Sequence, residues 1–388
     1  MKTSMIKRVL MVATVPSMIG QFNMDNIRIL LDMGYIVDVA ADFNDTSVWP
    51  TKRIIKFKED MAALGIECLQ LDFCRNPLSI YRHIASYTET IKLIRERQYA
   101  FIHTHTPIAS AIVRVAAHKT GTKVIYTAHG FHFYDGAPLK NWLLFYPVEK
   151  ILSNYTDILI TINKEDYKRA KDNFSAKKTV YIPGVGVDTE KFATCTIDKN
   201  KKREELGLKQ DDFVLLSVGE LSERKNQKVI LDALGVLKRE GRLDNIVYLA
   251  VGEGTLLDTY MNLIRESGIE RHVKLLRYRS DIAELCKTAD CFVHPSVREG
   301  LGIAPLEAMA SGLPLISAAI NGIKDYTEAN VSGCCINPRS VVEMAAAIKK
   351  MQTDAVFRKN CGLNNIKTAK LYDIKSTNIV MGELYRGV

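Results

Sequence analysis

Short apolar, β-branched runs alternate along the whole chain with longer stretches whose apolar residues return every three or four positions. In the first half the runs are RVLMVAT, YIVDVAAD, ECLQLDF, AFIHTH, KVIYTAHG, DILITIN and TVYIPG. In the second they are DFVLLSVGE, NIVYLAVGEG, HVKLLRY, DCFVHPS, LPLISA and GCCINP. Runs apolar on both faces belong to parallel strands covered by helices, so the pattern predicts an α/β chain with two doubly wound sheets. Ligands of open sheets bind beyond the carboxyl ends of the strands, which predicts a cleft between facing domains. After Phe192 the stretch ATCTIDKNKKREELGLKQDD is polar and lysine-rich and has no apolar period, the mark of a linker. The expected domains are therefore 1–192 and 193–363, with a helical segment 364–388 packing back on the first.

Composition narrows the partners. A chain of 388 residues, 47% hydrophobic, supports two cores at roughly 150 residues per domain. Its net charge of +9 is spread among acids, with no basic arm or aromatic-interleaved basic stripe, so no nucleic-acid partner is expected. The excess favours an anionic small substrate or an acidic membrane surface, or is simply the charge of a basic soluble protein. Eight cysteines without a CxxC pair argue against a zinc site and a disulfide framework and fit a reducing cytoplasm. The start MKTSMIKRVLMVATVPSM has the basic beginning of a signal peptide, but its apolar run is short and β-branched and leads into a turn at Pro16–Gly20, as a first strand does. No stretch reaches the ~18 apolar residues that span a bilayer. LKNWLLFYPVEKIL, with Trp142, Leu143, Leu144, Phe145, Tyr146 and Val148 beside Lys140 and Lys150, fits core packing as the simpler account and peripheral contact with anionic lipid as the alternative.

The stretch SVREGLGIAPLEAMASGLP places Glu299 and Glu307 on either side of a glycine-bracketed turn. Gly300 and Gly302 permit tight backbone, Pro305 suits a first helical turn and Gly312 a stop. A helix starting near Ala304 or Pro305 would aim free amides at a diphosphate, and its dipole would favour Glu307 in the first turn. Glu299, ahead of the turn, needs another explanation.

Set in PSxxEGxGxxxxEAMAxGxP, these acids resemble those of the retaining glycosyltransferases of family 4, which have the GT-B architecture of two Rossmann-like domains. The resemblance implies that Glu299 contacts the donor sugar, Glu307 holds the ribose hydroxyls, and the amides of Gly300, Leu301, Gly302 and Ile303 meet sugar and diphosphate. SVGELSERKNQ is similar to the family's GRL and EKG patterns, with Gly219 and Lys225 in their usual places. Glu220 stands where arginine is usual, and Arg224 is the candidate replacement cation. In VIYTAHGFHFY, His129 falls where the family places a histidine that donates a hydrogen bond to the donor sugar. Tyr278 and Arg279 resemble base contacts. Ser17, Met18, Ile19 and Gly20 replace the usual glycine pair of the first βα turn, which points to specialised acceptor recognition. PGVGVDTEKF is similar to the family's hinge motif.

The resemblance therefore implies transfer of a hexose or N-acetylhexosamine from a nucleotide diphosphate sugar, UDP being the expected nucleotide, to a hydroxyl acceptor. A lipid-linked glycan in capsule or exopolysaccharide synthesis is the expected acceptor. No metal or other cofactor is expected, because no DxD-like acid pair is present, and the expected location is cytoplasmic, peripheral to the inner membrane face. Three alternatives stay open: a nucleotide-sugar 2-epimerase of the same architecture, a metal hydrolase built on His103, His105, His129 and His132, and a non-catalytic nucleotide-sugar-binding module.

Overall fold

The computed structural model describes residues 7–76 and 78–388; residues 1–6, most of the basic start weighed above as a signal peptide, lie outside them. All thirteen apolar runs form strands, in chain order β1 Arg8–Val12, β2 Ile36–Ala41, β3 Glu67–Gln70, β4 Phe101–Thr104, β5 Lys123–Ala128, β6 Ile158–Thr161, β7 Lys178–Tyr181, β8 Phe213–Val218, β9 Ile246–Val251, β10 Val273–Arg277, β11 Cys291–His294, β12 Leu315–Ala318 and β13 Gly333–Ile336. The first seven make one sheet in the order β3-β2-β1-β4-β5-β6-β7, and the last six a second in the order β10-β9-β8-β11-β12-β13. Every pairing between neighbours is parallel. Each sheet reverses its winding once, between β1 and β4 and between β8 and β11. Loops diverge at such a switch point and leave a crevice at the carboxyl edge, the usual place for a ligand.

The chain divides into one unit of residues up to Val185 together with Ser376–Val388, and another of Gly186–Lys375. This division differs from the expected one in two places. The stretch read as a linker holds helix Lys199–Glu205, capped by the Asp198 carboxylate, with Lys202 and Arg203 buried. It lacks an apolar period because its inward face is ionic: Lys202 pairs with Asp281 at 2.7 Å and Arg203 with Asp290 at 2.9 Å. The crossing lies earlier, because helix Thr189–Thr194 packs on helix Ile303–Ala310 of the second unit. At the other end, helix Ala355–Ala369 stays with the second unit, and only residues from Ser376 onward belong to the first. There Met381, Leu384 and Tyr385 complete the core over β1, β4, β5 and β6.

Two further expectations give way. Pro16 is the first residue of helix Pro16–Phe22, so Ser17, Met18, Ile19 and Gly20 are helical rather than a turn. Ile19 is fully buried, and a Cβ at Gly20 would lie 2.4 Å from Trp49, so these two face the core. In helix Leu139–Ser153 the aromatic side chains turn inward, where Trp142 and Tyr146 pack around Phe133. The aliphatic ones turn outward: Leu139, Leu143, Leu144, Val148 and Ile151 are all exposed. Core packing thus accounts for only half of that segment.

Candidate active site

At the switch point of the second sheet, the loops that follow β8 and β11 are tied together. The amide of Val297 donates to the carbonyl of Arg224 at 2.9 Å. Asn226 adopts a left-handed backbone, φ 56°, a conformation asparagine tolerates better than most residues. From there its Nδ2 donates to the carbonyls of Pro295 at 3.2 Å and Pro338 at 2.7 Å, joining the loops after β8, β11 and β13. This clamp fixes Lys225, whose ammonium donates to the Glu299 carboxylate. Arg224 Nη1 reaches the other carboxylate oxygen at 3.1 Å, and Ser296 Oγ donates to the first at 3.1 Å. His294 Nε2 lies 3.4 Å from Glu299. A Cβ at Gly219, whose φ is 155°, would press on the Lys225 side chain at 3.3 Å from Cε.

Glu299 is 9% exposed. Burial alone would raise its pKa, but Lys225, His294 and Arg224 outweigh burial and hold the carboxyl well below the usual carboxylate range. The cluster therefore contains two cations and one anion, a net positive charge beside helix Ile303–Ala310. That helix starts one residue earlier than expected, after Gly302 at φ 85°, and a Cβ there would crowd Tyr326 Oη at 3.1 Å. Tyr326 Oη donates to the carbonyl of Leu301 at 2.8 Å and so holds the turn from beneath. Pro305 has no N–H, leaving the amides of Ile303 and Ala304 at the helix start.

Glu307 is the fifth helical residue, past the first turn, so the dipole does not explain it. Its behaviour is the reverse of a dipole-stabilised acid: burial, only partly countered by Lys191, pushes its carboxyl up to about 7. Tyr278 is exposed. The Arg279 guanidinium is engaged by Asp281 and by Glu205, the latter at 3.0 Å. Glu220, in the usual arginine position, points its side chain to solvent.

The first unit gathers a different group. His105 Nδ1 lies 3.3 Å from His129 Nε2, and His103 is held by Tyr385 Oη and Thr127 Oγ1, both at 2.8 Å. Burial lowers all three pKa values, to about 4 for His129 and about 3 for His103, so the rings are neutral. His129 borders a pocket lined by Asn26, Asp25, Thr377, Asn378 and Gly184. His132 stacks instead on Phe145, with ring centroids 4.5 Å apart. Among the described residues no three His, Cys, Asp or Glu side chains are placed to hold a metal. His294, Ser296 and Asn226 lay unnoticed within motifs quoted for other residues. Tyr385 carried no signal at all, because its partner is 282 positions away.

Residues 29–191 match the family description Glycosyltransferase Family 4, and residues 198–368 match Glycosyl transferases group 1. The chain is similar to EpsD of Bacillus subtilis (strain 168), a glycosyltransferase by name, at 36% identity over 386 residues, 98% of this chain and 97% of that one. It is 30% identical over 294 residues to the UDP-Gal:alpha-D-GlcNAc-diphosphoundecaprenol alpha-1,3-galactosyltransferase of Escherichia coli, covering 74% of this chain and 76% of that one. Among solved structures, Anabaena Alr3699/HepE in complex with UDP-glucose has the same fold, with a TM-score of 0.78, 21% identity, and coverage of 98% and 100% of the two chains. Similarity of this extent along nearly the whole length, on two doubly wound sheets, places the chain among the family 4 glycosyltransferases, enzymes of the GT-B fold.

Proposed function

We propose that the enzyme transfers a sugar from a UDP-sugar to a hydroxyl of a lipid-linked glycan during surface polysaccharide synthesis, with retention at the anomeric carbon. The observation that carries this reading is the Glu299 cluster: a buried, ionised carboxylate gripped by Lys225 and Arg224 beside two helix-start amides. A leaving diphosphate develops negative charge, and fixed cations and amides stabilise it without reorganisation. Glu299 positions the sugar hydroxyls, Glu307 the ribose hydroxyls, and His129 contacts the donor sugar. In a retaining transfer the acceptor hydroxyl attacks from the face the phosphate leaves, and a phosphate oxygen takes its proton. The protein's own cations meet the charge requirement, so no metal is assigned to the step. The UDP and lipid-diphosphate assignments are supported by the substrates in the name of the Escherichia coli relative.

A lipid-linked acceptor requires access to a membrane, yet no helix among the described residues is long and apolar enough to cross one. The outward face of helix Leu139–Ser153 meets this requirement as a peripheral contact. Lys140 and Lys150 flank its exposed leucines, while its one acid, Glu149, is turned inward to Arg114 at 2.9 Å. Leu78, Ile80, Tyr81 and Ile84 are likewise exposed at the start of helix Ile80–Arg97. Helix Pro107–Thr120 packs against both helices.

The test is a thermal-shift screen of nucleotide sugars, then transfer to lipid-diphosphate-linked acceptors with the product's anomeric configuration read by NMR. An inverted product contradicts retention, and an epimer formed from donor alone favours the epimerase. Activity lost to a chelator and restored by a metal ion favours a metal mechanism. Flotation with anionic vesicles tests the membrane contact, which a Leu143→Ser, Leu144→Ser variant should lose.

A further inference from the structure

Met11 lies in β1, His105 follows β4 and His129 follows β5, and these three strands are neighbours in the order β1-β4-β5. They deliver the three side chains in a row across the carboxyl edge of the first sheet. His105 Nε2 lies 2.9 Å from Met11 Sδ, and His105 Nδ1 lies 3.3 Å from His129 Nε2. A thioether has no hydrogen to give, so the first contact is attractive only when His105 Nε2 carries the hydrogen. Burial keeps both rings neutral, and a neutral imidazole carries a single N–H. His105 Nδ1 is then an acceptor, and His129 Nε2 must donate to it. What remains is His129 Nδ1, bearing a lone pair, with no hydrogen-bond partner among the described residues. Its ring borders the pocket that also holds Asn26 and Asn378.

We propose that Met11 and His105 are positioning residues that fix the tautomer of His129, so that its Nδ1 accepts a hydrogen bond from an alcohol group of the sugar ligand. This reverses the donor role implied by the family resemblance. It also sets a chemical preference: a lone pair welcomes a hydroxyl and repels a phosphate or carbonyl oxygen. That the alcohol belongs to a sugar rests on the glycosyltransferase reading; the tautomer does not.

The test is long-range 1H–15N NMR of the full chain labelled with 15N-histidine, at pH 7 and without ligand. The expected spectrum shows His129 protonated on Nε2 and bare on Nδ1. In Met11→Leu the sulfur acceptor is gone, so His129 should show a mixture of tautomers. Its kcat should then fall roughly threefold to tenfold with donor KM within about twofold, because the lost interaction belongs to the reacting complex. A wild-type spectrum with hydrogen on Nδ1 overturns the proposal by itself, even if the variant does not fold. An unchanged tautomer in Met11→Leu overturns the role of the sulfur, and a shifted tautomer with unchanged kcat overturns the role in catalysis. Should the tautomer be as expected while no sugar transfer is found with any donor, the glycosyltransferase reading fails and the relay stands.

Discussion

The two polar clusters sit at equivalent places, each at the switch point of its own sheet, and are built on opposite principles. In the first unit burial has stripped charge away: His103, His105 and His129 are neutral, and hydrogen bonds to Tyr385, Thr127 and Met11 orient them. In the second unit charge is kept, because the buried Glu299 is held by the half-buried Lys225 and the exposed Arg224, whose charges offset its burial. A neutral relay specifies direction, which hydrogen points where. An ionic cluster specifies field strength, which matters where a diphosphate must leave.

The largest expected effect comes from removing the field. Lys225→Ala and Glu299→Gln should each lower kcat by about 10²–10³, about 2.7–4 kcal/mol, as loss of a preorganised charge-stabilising group does. Steady-state kinetics with a saturating donor measures it, and a fall of less than tenfold would remove the cluster from the chemistry. Tyr385→Phe breaks the neutral cluster instead. It leaves His103 Nδ1 buried without its partner and should cost about 1–3 kcal/mol of stability in urea unfolding, with little effect on UDP binding.

pH should separate the buried histidines from Glu307 by sign. The folded pKa values of His129 and His103, about 4 and about 3, lie below the ordinary 6.5, so the unfolded chain binds more protons in between. Their contribution to stability is full above pH 6.5 and drains away as pH falls through that window. Glu307 runs the other way: raised from 4.5 to about 7, it binds more protons when folded, and its contribution is lost as pH rises from 4.5 to 7. If the ionised form holds the ribose, UDP affinity should rise roughly tenfold, about 1.4 kcal/mol, between pH 6 and 8 and become flat in Glu307→Gln. Isothermal titration across that range checks it. The smallest effect is expected from Asn226→Gly, which keeps the left-handed turn and removes both carbonyl clamps. It should lower kcat by about fivefold, near 1 kcal/mol, and Asn226→Ala should do worse because it also loses the turn.

The contrast also explains what could be read in advance. The strands were legible because alternation and length are local, and Glu299, Lys225 and Glu307 could be singled out as candidates because each sits in a contiguous stretch after a strand. The linker was misplaced because helix Lys199–Glu205 buries salt bridges, which leave no apolar period to count. The helix at Pro16 was mistaken for a turn because proline starts helices as readily as it ends them. Met11 and Tyr385 could not be found at all, since a hydrophobic period marks them as core and says nothing of the imidazoles they touch.

The order of the units along the chain also bears on biosynthesis. Gly186–Lys375 leaves the ribosome as one uninterrupted block, whereas the first unit needs Met381, Leu384 and Tyr385 to close its core. The nascent chain must therefore carry an open hydrophobic face on its earliest-made sheet while everything downstream is translated, a natural client for a chaperone. Stop codons in the final helix should accordingly damage the beginning of the protein and spare its middle.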